Sequence, residues 1–207
     1  MFHDDQRPVN RRRFFREGLR ELLRPLAQSI ETLAEAANQF SELEKPAPAP
    51  RPPGALPEEQ FKETCSRCGE CQRVCPAQCI QIDESGYQGD GVPYIDVNYM
   101  PCVMCDGLHC MQNCPSGALV PTPREEIDMG TAVWHEDLCL RRQGQECTVC
   151  IDRCPMGAAA IRLNDIGQVE VIESGCTGCG VCQHDCPTYP KSITVTPKSA
   201  APSPNPD

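Results

Sequence analysis

At 207 residues with aromatic side chains at only 5%, the chain has too little bulky apolar material for a large conventional core, so something else must hold it together. A formal net charge of -10 repels phosphate backbones, which sets nucleic acid aside as a partner and favours basic faces on partner proteins. No stretch approaches roughly 18 uncharged apolar residues, which excludes a transmembrane helix.

Four zones follow along the chain. Residues 1–44 predict an amphipathic helical segment: Phe15, Leu19, Leu22, Leu23, Leu26, Ile30, Leu33, Ala37 and Phe40 recur at three- and four-residue steps, Asn10 is placed to cap the start, and Pro25 should kink or divide it. Residues 45–57 carry alternating prolines and suit an extended polyproline linker that spaces without packing. Residues 58–196 hold all 17 cysteines. The last stretch, 197–207, is rich in Pro, Ser and Ala and predicts a disordered tail.

The cysteine zone is an internal repeat. Its copies are Cys65-x2-Cys68-x2-Cys71-x3-Cys75-Pro76, Cys102-x2-Cys105-x4-Cys110-x3-Cys114-Pro115, Cys139-x7-Cys147-x2-Cys150-x3-Cys154-Pro155 and Cys176-x2-Cys179-x2-Cys182-x3-Cys186-Pro187, sixteen cysteines in all. Short strand-like runs follow each copy, at Cys79–Asp83, Ala118–Val120, Ala159–Leu163 and Ser192–Thr196. Others precede three of them, at Val92–Val97, Thr131–Trp134 and Val169–Ile172. Strand, cysteine loop, short helical turn and strand is the predicted unit. Pairs of units predict an α+β fold of tandem bacterial-type ferredoxin-like modules.

Cysteines at every third residue can wrap three iron corners of a cubane cluster, and the fourth, followed by proline, ligates the other cluster in two-cluster ferredoxins. Gly69, Gly178 and Gly180 ease the turns this requires. A disulfide scaffold needs no Cys-Pro after each group and fits poorly with 17 cysteines, an odd number. Structural zinc leaves the third cysteine of each triplet without a place. The expectation is therefore four 4Fe-4S clusters held by the sixteen cysteines, each cluster with its thiolates adding about -2 to an already acidic surface. Cys79 stands outside the scheme and reads as a small packed side chain beside a cluster. His109 and His184 lie within cysteine loops but are not needed as ligands. No phosphate-binding loop or nucleophile and base pair is present, so no catalytic residue is expected and the chemistry is the clusters' own.

Several details resemble the NapG/MauM family of ferredoxin-type subunits, associated with periplasmic nitrate reductase and methylamine utilisation. They are Pro101-Cys102-x2-Cys105 through Cys110-x3-Cys114-Pro-Ser-Gly-Ala-Leu, then Met129-Gly-x-Ala-Val, then Cys139 with its widened loop to Cys147. The resemblance implies an electron relay between a membrane-associated quinol-oxidising partner and a larger oxidoreductase. A maturation factor that delivers electrons during cofactor formation and a redox sensor are the alternatives. It also implies a nested pairing of motifs, first with fourth and second with third: Cys65, Cys68, Cys71 with Cys186; Cys176, Cys179, Cys182 with Cys75; Cys102, Cys105, Cys110 with Cys154; Cys139, Cys147, Cys150 with Cys114. Adjacent pairing stays open. Arg141 and Arg142, on the widened loop, are candidates to touch an acidic partner.

Asn10 to Arg16 resembles a twin-arginine export signal, which implies a periplasmic location. Glu17, Arg20, Glu21 and Arg24 interrupt the apolar stretch such a signal needs. The favoured reading is thus a retained helix that packs on the body, docks on a partner or lies on an anionic membrane surface. It keeps the protein cytoplasmic, with a membrane-peripheral form included.

Overall fold

The computed structural model describes residues 49–82 and 91–198. The expectations for 1–44, for 45–48, for Asp83 and for 199–207 lie outside the described residues.

The helices are short: α1 (Glu58–Thr64), α2 (Glu70–Arg73), α3 (His109–Gln112), α4 (Val149–Asp152) and α5 (Val181–Asp185). Helix α1 starts after Pro57 with Glu58 and Glu59 in its first turn, where carboxylates meet the positive end of the helix dipole. Lys62 reaches back one turn to Glu58 at 3.2 Å, and Phe61 is fully buried. The other four are single turns that follow the second cysteine of each motif and carry the third, as the repeat predicts.

The strands are β1 (Ile80–Ile82), β2 (Pro93–Ile95), β3 (Gly130–Trp134), β4 (Ile161–Leu163), β5 (Val169–Val171) and β6 (Ile193–Pro197). All pair antiparallel and in two kinds. The inner pairs are β1 with β2, matching Ile80 to Ile95, and β4 with β5, matching Ile161 to Val171. The outer pairs flank them: β3 with β6 over the register Gly130 to Pro197 through Trp134 to Ile193, and in the first half a single bridge between Ala55 and Leu119. The predicted strand Ala118–Val120 is therefore reduced to one bridged residue, with Leu56 N–H donating to Ala118 O (3.1 Å) and Val120 N–H to Gly54 O (2.8 Å) on either side. The result is a small mixed helix-and-strand fold.

Two apolar cores accompany these pairs. One gathers Phe61, Ile80, Val92, Ile95, Met104 and Leu119, and the other Ala132, Ile161, Val169 and Ile193. Cysteines belong to both, which compensates for the scarcity of aromatics noted in the sequence.

The reading of 45–57 as a spacer that does not pack is corrected where it can be checked, from 49 to 57. Pro52 and Pro53 are among the fully buried side chains, and Ile95 N–H donates to Pro50 O at 2.9 Å. Arg51 fastens the stretch. Its guanidinium bonds both Glu58 oxygens, at 2.6 and 2.9 Å, and the carbonyl of Pro93 at 3.1 Å, and lies 5.7 Å from the centre of the Phe61 ring. A proline-rich composition predicts an extended backbone; one buried ion pair decides that this one lies against the body and not free of it.

The tail is corrected at its first two residues. Pro197 ends β6, the Lys198 N–H donates to Met129 O (3.1 Å), and Lys198 Nζ lies 2.8 Å from Asp128 Oδ2. Among the described residues no helix is long and apolar enough to cross a membrane.

Candidate iron-sulfur sites

Each cysteine loop needs backbone turned against its usual preference. Arg67 (φ 58°), Gly69 (φ 75°) and Gly180 (φ 87°) adopt left-handed conformations between the first cysteines of their motifs and the helical turn that follows. In the second motif Met104 (φ 49°) and Leu108 (φ 41°) do the same without glycine. Such strain on non-glycine residues costs of order 1 kcal/mol each and persists only where the surroundings over-determine it.

The loops bring the sixteen cysteines together in four quartets. Cys65, Cys68, Cys71 and Cys114 line one void, and Cys102, Cys105, Cys110 and Cys75 a second. Cys176, Cys179, Cys182 and Cys154 line a third. Cys139, Cys147 and Cys186 are the sulfurs that act on Cys150, whose thiol is pushed up to about 11 by burial first and by those neighbours next. We call these quartets I, II, IV and III, after the motif that supplies three of the four sulfurs.

This pairing is adjacent: the first motif exchanges its fourth cysteine with the second, and the third with the fourth. It overturns the nested pairing that the family resemblance implied. The physical reason lies in the strands. Hairpin β1–β2 joins motifs one and two and hairpin β4–β5 joins three and four, and each outer pair closes the same two motifs. A fourth cysteine can reach only the loop its own hairpin brings alongside.

Two classes of sulfur emerge. Five of those within the triplets are held by burial: Cys71, Cys110 and Cys179 are pushed up to about 12 and Cys150 to about 11, chiefly by desolvation of the thiolate, and Cys182 also moves up for that reason, whereas the hydrogen bond from Cys79 brings Cys102 down. Buried thiolates on this scale need a cationic core to ionise them. Fourth cysteines sit instead in nests of donors after the Cys-Pro turn. Burial raises Cys114, but the Leu119 N–H (3.4 Å) and Ser116 hydroxyl (3.6 Å) outweigh it, so the net shift is down. Cys186 is likewise raised by burial and brought down overall, by the hydroxyls of Ser192 and Thr188, both at 3.2 Å. Cys154 has the Met156 and Gly157 amides, yet desolvation leads and its net shift is up. Hydrogen bonds to ligand sulfurs are a main means by which a protein sets a cluster's potential.

The donor set fits 4Fe-4S clusters. All seventeen cysteines are free thiols, four from each quartet are soft donors suited to iron-sulfur groups, and amide N–H groups point at ligand sulfurs, as Ala132 N–H does at Cys176 (3.4 Å). Among the described residues no three Cys, His, Asp or Glu side chains converge as the ligands of a single ion do. The thiols ring voids.

The remaining candidates fall as follows. Cys79, 2% exposed, is more than filler: its sulfur lies 3.6 Å from Cys75 Sγ, is hydrogen-bonded to the Cys102 sulfur as well, and shares the void of quartet II. The thiol of Cys79 leads the causes that bring Cys75 down to about 5. His184 Nδ1 pairs with Asp185 at 2.8 Å, and neither His184 nor His109 lines the three voids. Arg141 turns inward, donating to Gly167 O (2.7 Å) and Cys147 O (3.4 Å), and so braces the widened loop. Arg142 pairs with Glu136 at 3.0 Å on the surface.

Comparison with known proteins follows the same lines. Residues 64–118, which hold motifs one and two, match the 4Fe-4S dicluster domain family. The chain is 36% identical over 200 residues to the methylamine utilization ferredoxin-type protein MauM of Methylophilus methylotrophus, a match covering 91% of this chain and 87% of that one. It is 38% identical to MauM of Paracoccus denitrificans over 165 residues, 73% of each chain. With the ferredoxin-type protein NapG of Escherichia coli it shares 37% over 167 residues, 73% of this chain and 71% of that one.

Proposed function

The chain belongs to the MauM/NapG family of ferredoxin-type 4Fe-4S electron-transfer proteins, and from that premise we propose that it is a four-cluster relay built of two dicluster ferredoxin modules in tandem. The observation that carries the reading is the sorting of sixteen thiols into four quartets of four. Each quartet supplies the four corners that a cubane requires, and each exchanges one cysteine within its module. The clusters, when bound, supply one-electron chemistry. The chain's own part is to hold their corners, to exclude water with buried cysteine loops, and to set their potentials through the donors around the fourth cysteines.

The partners are a redox protein that donates and a larger oxidoreductase that accepts, with a quinol-oxidising membrane protein as the donor. An acidic chain of formal charge -10, made more acidic by each cluster, selects basic faces on both. Anaerobic purification with iron and sulfide analysis tests the reading. About sixteen of each per chain, four per cluster, are expected, with redox-poised electron paramagnetic resonance showing reduced 4Fe-4S signals. A count near eight would remove half the proposed ligands from service.

A stable stoichiometric complex with a mature oxidoreductase supports the relay. Capture only by an enzyme still lacking its cofactor would transfer the same chemistry to an assembly role. Cell fractionation, with cluster content measured in each fraction, separates the cytoplasmic and peripheral locations from export.

A further inference from the structure

We propose that the backbone contact between Cys102 and Cys179 is the electron crossing between the two halves, so that the quartets are traversed in the order I, II, IV, III. This rests on the reading of the quartets as 4Fe-4S sites.

Within each half the quartets are joined twice by a single helical turn. Helix α2 runs from Cys71 of quartet I toward Cys75 of quartet II, and α3 from Cys110 of II toward Cys114 of I. In the second half α4 leads from Cys150 of III toward Cys154 of IV, and α5 from Cys182 of IV toward Cys186 of III. These turns pack against each other in pairs. Each half is therefore wired internally by short covalent paths.

Between halves, ligand residues of II and IV meet. The Cys102 N–H donates to the Cys179 carbonyl at 3.0 Å. These ligands are 7% and 8% exposed. The neighbouring contacts look built for this approach. A Cβ on Gly180 would fall 2.3 Å from Val97 Cγ1, so the backbone there lies closer than any other residue allows. Gln183 Nε2 donates to Asn98 Oδ1 at 2.9 Å, and Met129 N–H to Thr177 O at 3.0 Å. Cys179 and Val181, from the second half, are members of the first half's apolar core.

Quartets I and III are then the ends. At end I stands Cys68, the exposed one among the sixteen ligand thiols. Each crossing is one electron: the group at one quartet is oxidised as its neighbour is reduced, no bond breaks and no proton moves. A reduced redox protein supplies the electron at one end and an oxidised one accepts it at the other.

The order is tested on the full chain by two measurements. An iron anomalous map of crystals of the unaltered holoprotein should show four iron centres, the closest pair across the halves being those held by Cys102 and by Cys179. A shorter separation for any other pair across the halves overturns the proposal. Spin coupling gives the second readout. A variant without quartets I and III (Cys65→Ser, Cys68→Ser, Cys139→Ser, Cys147→Ser) should keep a coupled, broadened spectrum when fully reduced. One without II and IV (Cys102→Ser, Cys105→Ser, Cys176→Ser, Cys179→Ser) should lose the coupling and show isolated signals. The reverse pattern overturns the crossing. An iron count near eight in the unaltered protein overturns the four-cluster reading itself, so the two failures are distinct.

Discussion

The two halves follow one pairing plan and fasten it by different means. In the second half the outer pair is a five-residue ladder, Gly130 to Trp134 against Ile193 to Pro197, with His135 Nε2 and Thr194 Oγ1 2.8 Å apart across it. In the first half the same position holds one bridge, Ala55 to Leu119, and the proline-rich strand that makes it has few amides to give. Side chains replace the missing ladder: Arg51 on Glu58, Pro93 and Phe61. A fold whose frame is set by its ligand loops can thus close its edge with backbone or with one buried ion pair.

Removing iron should break the comparison most severely. Cluster ligation is folding energy in small metal domains, so chelation under anaerobic conditions should loosen both halves, the first before the second. Limited proteolysis read by mass spectrometry should find its earliest cuts near 49–57, and equal cutting of both halves would show that the ladder adds nothing. With clusters in place, Arg51→Ala should cost about 3 kcal/mol, because it leaves half-buried Glu58 to Lys62, takes the donor from the Pro93 carbonyl and removes packing from Phe61. Hydrogen exchange should speed up at Ile95 and Leu56 while Ala132 and Val195 stay protected.

A pair of glycine variants sharpens the point. Gly54 has φ +73°, and a Cβ there would lie 2.3 Å from the Val120 carbonyl oxygen, in the bridge itself; Gly157, in the second half, has φ +59° and open space around it. Gly54→Ala should cost about 2 kcal/mol and Gly157→Ala about 1 kcal/mol, the difference being the collision. Thermal unfolding of the two holoproteins measures it.

Much of this was legible in the sequence, because spacing encodes it. The four motifs gave the loops and the helical turns, and the strand-like runs gave all six strands close to where they lie, with a seventh, Ala118–Val120, reduced to one bridge. The partner of each fourth cysteine was not legible in motif spacing, since insertions in motifs two and three suggest kinship without stating adjacency. Hairpin lengths carried that information: only ten residues separate Ile82 from Pro93, and a connection that short brings neighbouring motifs together. Arg51 was hidden by its surroundings, a lone arginine among prolines whose partner Glu58 opens the next helix. Glu58 and Glu59 after Pro57 were a readable helix start that composition alone passed over.

The Arg51 pair also predicts a pH dependence confined to the first half. Burial works to raise the Glu58 carboxyl, and the bonds and charge of Arg51, with Lys62, more than reverse it, so the net shift is below the ordinary 4.5. A carboxyl depressed in the folded state adds stability that is complete above its unfolded value and fades as pH falls through the folded one. The unaltered protein should therefore exceed Glu58→Gln by about 1 kcal/mol at pH 7, and the gap should narrow below 4.5. A gap that held constant into that range would mean the carboxylate charge is not what fastens the stretch.

The smallest expected change in stability falls on Cys79, and it separates the halves by chemistry. Quartet II has a fifth thiol in its void, while the matching places in the other repeats, each just before the strand or bridge, hold Ala118 and, in the second half, Ala160 and Ser192. A neutral thiol beside Cys75 and Cys102 donates to ligand sulfur, which favours the reduced, more negative cluster and raises its potential. Cys79→Ala should cost about 1 kcal/mol or less as a small truncation, yet move one of four reduction potentials to a more negative value in a redox titration followed by paramagnetic resonance. Cys79→Ser, which restores a donor, should recover part of the shift. If all four potentials move together, Cys79 acts by packing alone and quartet II is not set apart from the rest.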